Sequence, residues 1–284
     1  MRATPLEHFT APDGRRLAYA DSGGAGSPVL CLAGLTRNHR DFAALACHLS
    51  PRYRVIRLDS RGRGGSDWAD DPQGEYTIPV ETTDALALLA HLGLGPVNVI
   101  GTSRGGVLGI GLATAGLASS LVLNDLGAEI QTAGLRRIQA YVGQPPPPDL
   151  DAAVDGLIAA NAEAFPNLSR ARWEDHARAV YNVDGSGQIR LSYDPRLGEV
   201  LAAGLADAPE TISLWPLFEN ALNTPVLVLR GANSDIVSRQ TLLEMQARHE
   251  NLSHLEIADR GHAPFLDEAP ALAAIDAFLE GTLG

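Results

Sequence analysis

The chain has 284 residues, of which 45% are hydrophobic and 20% are charged, and this composition excludes a disordered or fibrous protein. Its formal net charge of −12 disfavours nucleic acids and anionic membrane surfaces as partners. All 22 basic residues are arginine, and the lack of lysine excludes Schiff-base chemistry and a Ser–Lys catalytic dyad.

Short apolar runs rich in β-branched residues alternate along the chain with longer stretches rich in alanine and leucine. This alternation is typical of a mostly parallel sheet with helices on both faces. The predicted strands cover residues 6–10, 15–20, 28–33, 53–58, 97–101, 120–124, 225–230 and 253–257, and the predicted helices cover 39–49, 78–92, 104–118, 236–248 and 265–280. We therefore expect an α/β fold with a doubly wound sheet of eight strands.

The alternation stops between residues 127 and 217. This stretch has a mostly helical periodicity and is interrupted by four consecutive prolines, Pro145 to Pro148. It is about 90 residues long, which is too much for a structureless loop, so we predict a mostly helical cap. The predicted domains are a core of residues 1–126 and 218–284 and a cap of residues 127–217, inserted after the sixth strand.

The segment Gly101-Thr102-Ser103-Arg104-Gly105 carries a Gly-x-Ser-x-Gly pattern between a predicted strand and a predicted helix. A serine at such a junction lies in a strained turn that lifts its hydroxyl clear of the sheet, and the flanking positions leave no room for side chains. The pattern therefore predicts that Ser103 is a nucleophile. Alone it is a weak signal, because a glycine-rich turn can also serve only to pack a helix against a strand.

A serine nucleophile needs a base, and the base needs an acid to orient it. Among the eight histidines, His262 stands out because it follows the last predicted strand, at the edge where parallel sheets present functional groups. Asp235, which follows the strand at 225–230, is the predicted acid, although an aspartate at this place can also cap a helix. Asp125, just past the strand at 120–124, is the alternative acid.

The order Ser103, Asp235, His262 on this strand pattern resembles the α/β-hydrolase fold superfamily. Residues 59–66, which read Asp-Ser-Arg-Gly-Arg-Gly-Gly-Ser, are similar to a turn that many members carry after the fourth strand. Residues 261–265, which read Gly-His-Ala-Pro-Phe, are similar to their histidine loop. The resemblance covers both ends of the chain and implies the α/β-hydrolase fold with a cap after the sixth strand.

The resemblance also implies an oxyanion hole formed by the backbone N–H groups of Leu35 and Arg104. The chain departs from the family pattern in two places. Ala33 stands where many members have histidine, which implies altered support of the loop rather than lost activity. The loop that carries Asp235 is one residue longer than the resemblance leads us to expect, so Asp125 remains open as the acid.

The activity implied by the resemblance is that of a serine hydrolase, which cleaves a small carboxylic ester or lactone through an acyl-enzyme on Ser103. Two alternatives remain open, a carbon–carbon bond hydrolase of the meta-cleavage type and a non-catalytic receptor on the same fold. Arg37 and Trp215 are candidate substrate-binding residues, since a guanidinium binds carboxylates and an indole lines apolar pockets. Arg37 can instead pair with a nearby carboxylate such as Asp41.

We expect no cofactor and no metal, since no cluster of His, Cys, Asp and Glu has ligand spacing and no glycine-rich dinucleotide motif follows a strand. The sequence shows no apolar stretch of about 18 residues and no leader-like N-terminal segment, which predicts a soluble, cytoplasmic enzyme. The expected partner is a small molecule with an activated carbonyl, not a nucleic acid or a membrane. The oligomeric state stays open.

Overall fold

The computed structural model describes residues 4–281. These residues form twelve strands, of which eight make one large sheet and four make two short ribbons. The strands are β1 (Leu6–Thr10), β2 (Arg16–Asp21), β3 (Ser27–Leu32), β4 (Tyr53–Leu58), β5 (Val97–Thr102), β6 (Ala118–Asn124), β7 (Glu129–Gln131), β8 (Tyr181–Val183), β9 (Ile189–Leu191), β10 (Thr211–Ser213), β11 (Val226–Gly231) and β12 (Leu252–Ile257). The α-helices are α1 (Ala43–Leu49), α2 (Pro72–Glu75), α3 (Ile78–His91), α4 (Arg104–Thr114), α5 (Thr132–Gln139), α6 (Leu150–Asn161), α7 (Arg170–Val180), α8 (Leu197–Leu205), α9 (Trp215–Phe218), α10 (Arg239–Arg248) and α11 (Ala269–Gly281). Among these described residues, none of the helices combines the length and apolar character needed to cross a bilayer.

The large sheet has the strand order β1-β2-β4-β3-β5-β6-β11-β12. β1 is antiparallel to β2, and β2 is antiparallel to β4. The strands from β4 to β12 along the sheet run parallel to one another, as expected where helical crossovers connect them. The predicted α/β fold with an eight-stranded, mostly parallel sheet is therefore confirmed.

Two apolar clusters cover the two faces of this sheet, because its central strands are apolar on both sides. On one face, helices α3, α4 and α10 contribute side chains such as Leu88, Ile110 and Met245. On the other face, helices α1 and α11 contribute side chains such as Leu49 and Ile275. Since both faces are buried, functional groups are left to the loops at the ends of the strands.

Residues 127–217 lie between β6 and β11 in the chain, and they contain helices α5 to α8. β7 and β10 form an antiparallel ribbon where this segment begins and ends, and β8 and β9 form a hairpin within it. The predicted mostly helical insertion thus also contains two short ribbons that the sequence pattern did not indicate.

The 127–217 segment contacts loops at the carboxyl ends of the large sheet. In the loop after β4, the carbonyl of Gly62 accepts a hydrogen bond of 2.8 Å from the N–H of Asp194. The hydroxyl of Tyr76 donates to the carboxylate of Asp194 at 2.6 Å. In the loop after β12, the ring of Phe265 lies 5.3 Å from that of Phe165. The segment therefore lies against the edge of the sheet where functional residues of such folds are found.

Candidate active site

Ser103 occupies a tight turn between β5 and α4. Its φ of 51° and ψ of −118° are unusual for a residue with a side chain. A Cβ atom on Gly101 would overlap the carbonyl oxygen of Gly105, and one on Gly105 would overlap the carbonyl oxygen of Leu32. The two glycines of the Gly-x-Ser-x-Gly pattern are thus required by close backbone approach, and they allow the strained turn that presents the serine.

His262 reaches the Ser103 hydroxyl from the loop after β12. Its Nε2 lies 2.9 Å from Ser103 Oγ, which is within hydrogen-bond distance. The His262 side chain is 8% exposed. The imidazole is therefore placed to take a proton from the serine.

Asp125, which the sequence left as the alternative acid, contacts the other nitrogen of His262. The distance from Asp125 Oδ2 to His262 Nδ1 is 2.7 Å, and the carboxylate is fully buried. In the parallel pairing of β5 with β6, Thr102 lies opposite Asn124. Ser103 and Asp125 are the next residues on these two neighbouring strands, so the register of the sheet brings them together.

The loop after β11 supports Asp125. The N–H of Gly231 donates to Asp125 Oδ1 at 2.8 Å, and the hydroxyl of Ser234 donates to Oδ2 at 2.5 Å. Ser234 Oγ itself accepts hydrogen bonds of 3.2 Å from the N–H groups of Ile236 and Val237, which leaves its proton for the carboxylate. Sequence reasoning missed Ser234, for which the only signal was a small hydroxyl residue beside Asp235.

Asp235 does not contact His262, so the predicted pairing of these two residues is corrected by the structure. Its carboxylate instead accepts hydrogen bonds of 2.6 and 3.0 Å from Arg137. Burial raises the pKa of Asp235, but the hydrogen bonds and charge of Arg137 outweigh it, and the nearby His262 contributes, so that the pKa is lowered. The loop after β11 turns Ser234 toward Asp125 and Asp235 toward Arg137 on α5, so Ser234 lies at the catalytic edge and Asp235 does not.

Leu35 and Arg104, the predicted oxyanion-hole residues, flank Ser103. Arg104 directly follows the serine and starts α4. A Cβ atom on Gly34, the residue before Leu35, would lie 3.9 Å from Ser103 Cβ. Within residues 4–281, neither the N–H of Leu35 nor that of Arg104 donates to another protein group.

The two candidate substrate-binding residues are engaged with protein groups. Arg37 donates to the carboxylate of Asp41 through Nε at 2.7 Å and Nη2 at 2.5 Å, as the alternative interpretation of its role expected. Trp215 is buried in the core, where its ring packs against Phe218 and its Nε1 donates to Glu129 at 3.0 Å. The structure thus corrects the placement of Trp215, which is a core residue.

Aromatic side chains of the 127–217 segment surround Phe265, which lies three residues after His262. The ring centroid of Phe265 is 5.3 Å from that of Phe165 and 5.1 Å from that of His176. Burial lowers the pKa of His176 well below its usual value, and the nearby charge of Arg37 lowers it further. His176 is therefore neutral at pH 7, and the face of the Phe265 ring is covered by the guanidinium of Arg172, 4.0 Å from the ring centroid.

Comparison with known proteins identifies the family of this chain. The model of the alpha/beta hydrolase family matches residues 29–275. The 3-hydroxybutyrate-oligomer hydrolase of Cupriavidus necator is 36% identical, and the match covers 99% of this chain and 100% of that protein. The 3-oxoadipate enol-lactonase 2 of Acinetobacter baylyi is 36% identical, and the match covers 94% of this chain and 95% of that protein.

A solved structure is also similar to this chain. The crystal structure of an alpha/beta hydrolase from Novosphingobium aromaticivorans is 38% identical to this chain, with a TM-score of 0.90 and coverage of 99% of both chains. The prediction of an α/β-hydrolase that acts on ester bonds is confirmed at that level of detail. The chain belongs to the alpha/beta hydrolase family.

Proposed function

We propose that the chain is a serine hydrolase that cleaves carboxylic esters through an acyl-enzyme on Ser103. The observation that carries this proposal is the continuous hydrogen-bonded chain from Ser103 Oγ through His262 to Asp125. A serine hydroxyl at its ordinary pKa is a weak nucleophile, and this chain supplies the base and the orienting acid that activate it.

In the proposed reaction, Ser103 Oγ attacks the ester carbonyl carbon while its proton passes to His262 Nε2. Asp125 accepts the hydrogen bond from Nδ1–H, which fixes the tautomer and stabilises the imidazolium. The N–H groups of Leu35 and Arg104 bind the oxyanion of the tetrahedral intermediate. The intermediate collapses, the leaving alcohol takes the proton from His262, and water then hydrolyses the acyl-enzyme by the same proton path.

For the substrate, we propose short linear esters of 3-hydroxy acids, with small lactones as the second class. The proposal is supported by the full-length similarity to a hydrolase of 3-hydroxybutyrate oligomers and by the similarity to an enol-lactonase.

We further propose that residues 127–217 form a cap over the site and that residues 1–126 and 218–284 form the catalytic core. This division is supported by the contacts of the segment with the loops after β4 and β12, the second of which carries His262. A cap in this place excludes water from the reacting groups and shapes the acyl pocket.

The test is the intact mass of wild type and of Ser103→Ala after incubation with a fluorophosphonate, followed by turnover of the 3-hydroxybutyrate dimer and trimer. We expect one adduct on wild type, none on the variant, and ester hydrolysis by wild type alone. A folded wild type without an adduct would contradict the activated serine. Bleaching of a coloured dienoic diketo acid without ester turnover would favour the carbon–carbon alternative.

A further inference from the structure

Glu81 is a buried carboxylate on α3 that lies between two arginines. Its side chain is 1% exposed. Arg104 donates to it through Nε at 3.0 Å and through Nη2 at 2.8 Å. Arg63 donates to it through Nη1 at 3.0 Å. One carboxylate thus holds two guanidinium groups, and hydrogen bonds of this charged kind are the strong ones in proteins.

Each of these arginines is tied to one half of the proposed oxyanion hole. Arg104 supplies one N–H donor from its own backbone. Arg63 Nε donates to the carbonyl oxygen of Leu35 at 2.7 Å, and Leu35 supplies the other N–H donor. The two donors come from segments far apart in the chain, the loop after β3 and the start of α4. Glu81 connects them through side chains alone.

We propose that Glu81 is a positioning residue that fixes the distance between the Leu35 and Arg104 N–H donors. The proposal rests on the proposed serine-hydrolase function. Donors act on an oxyanion only when they are held in place before the charge develops, so a brace between them raises the rate of the chemical step. Glu81 itself touches neither the substrate nor Ser103.

An electrostatic role and a positioning role of Glu81 predict opposite changes in the reaction rate when its carboxylate is neutralised. Burial raises the pKa of Glu81, but the charges and hydrogen bonds of Arg63 and Arg104 outweigh it and lower the pKa, so the group is ionised at neutral pH. Neutralising it would leave two uncompensated positive charges behind the oxyanion hole. If only the electric field mattered, that change would stabilise the oxyanion and raise the rate. If positioning matters, the rate falls.

The experiment compares Glu81→Gln with Asp84→Asn, using kcat and KM for 4-nitrophenyl butyrate and the rate of Ser103 labelling by a fluorophosphonate. Asp84 is the matched control, since it is also 1% exposed, lies three residues further on α3 and holds Arg61 through two hydrogen bonds of 2.7 Å. Both changes remove a buried carboxylate, but of the two only Glu81 accepts hydrogen bonds from Arg63 and Arg104. For Glu81→Gln, we expect kcat and the labelling rate to fall about 10- to 100-fold with KM within about twofold. For Asp84→Asn, we expect lower thermal stability and rates within about threefold of wild type.

Arg63→Lys keeps the charge but loses the pair of donors that joins Leu35 to Glu81. We expect it to reproduce the loss of kcat, and the double variant with Glu81→Gln to be no slower than either single variant. If Glu81→Gln does not fold, Arg104→Ala is measured in its place, and the same loss of kcat is expected. The Arg104 side chain is 19% exposed, and its removal leaves the backbone N–H in place.

An unchanged or faster Glu81→Gln would overturn the inference, and so would an equal loss in Asp84→Asn. In either case, normal labelling of wild type would leave the proposed function intact. A wild type that is neither labelled nor active would overturn both.

Discussion

At the scale of single residues, the proposed acid is defined by its hydrogen bonds. Both oxygens of Asp125 are occupied, Oδ1 by the N–H of Gly231 and Oδ2 by His262 and Ser234. These donors come from two different loops, so the carboxylate cannot turn without losing several of them. This arrangement gives His262 a single orientation toward Ser103, which a triad requires.

Replacing the two candidate acids by asparagine separates their roles. Asp125→Asn places an amide N–H₂ group against a ring N–H and a hydroxyl donor, which favours the wrong imidazole tautomer. We expect kcat for 4-nitrophenyl butyrate to fall about 10⁴-fold with the fold preserved. Asp235→Asn removes only a partner of Arg137, and kcat should stay within about threefold of wild type. A larger loss in Asp235→Asn than in Asp125→Asn would contradict this assignment.

The sequence predicted some site residues and left others open for a physical reason. Ser103 and His262 could be predicted because each lies in a short motif directly after a predicted strand, so that motif and strand together indicate the role. Asp125 and Asp235 both follow parallel strands, and only the register of β5 with β6 places one of them beside the serine. The role of Ser234 depends on how a loop turns, which no local pattern encodes.

At the scale of elements, strands and helices of the core were predictable because each carries its own periodicity. Helix α10 starts at Arg239 rather than 236, since the Ser238 hydroxyl caps it by accepting from the N–H of Thr241 at 2.9 Å. The three-residue strands β7 to β10 were not predictable. β7 and β10 pair across about 80 residues of chain, and such short strands have no pattern apart from their partner.

Substitution by alanine should have opposite effects on stability at two helical glycines, Gly105 in α4 and Gly156 in α6. Alanine at Gly105 would overlap backbone atoms of Leu32, which cannot move without disturbing β3, so we expect a loss of about 3 kcal/mol in unfolding free energy. Alanine at Gly156, inside α6, would meet open space and should add about 0.5–1 kcal/mol by helix propensity. Urea unfolding of both variants is the measurement. A Gly105→Ala variant as stable as Gly156→Ala would show that β3 and α4 do not approach so closely.

At the scale of the whole molecule, the 127–217 segment is attached to the sheet edge by polar contacts as well as by aromatic packing. Asp194 is fully buried and accepts from Tyr76 at 2.6 Å and from Arg196 Nη2 at 2.7 Å. Arg196 also donates to the carbonyl of Ala69 at 2.7 Å. These groups belong to distant parts of the chain, which is why the attachment could not be predicted from local sequence.

The Asp194 contact predicts how stability depends on pH. Burial raises the pKa of Asp194, but the hydrogen bonds from Arg196 and Tyr76 outweigh it and hold the pKa below its usual value. A carboxyl with a lowered folded-state pKa stabilises the fold above the unfolded value of about 3.9, and this contribution disappears as the pH falls through the folded value. At pH 7 we therefore expect Asp194→Asn to lower the unfolding free energy by about 1–3 kcal/mol, since it weakens buried hydrogen bonds.

The measurement is urea unfolding of wild type and Asp194→Asn from pH 7 down to about pH 3. The difference between the two proteins should shrink below about pH 4, because the unfolded wild type then binds a proton at Asp194 that the folded carboxyl, with its lowered pKa, does not yet bind. Asp235→Asn is the matched control, because it also breaks a contact between the 127–217 segment and the core. That pair with Arg137 is partly exposed, so its loss should cost only about 0–1 kcal/mol. A difference for Asp194→Asn that is equally small, or that stays constant with pH, would mean that the Asp194 carboxylate does not help to attach the segment.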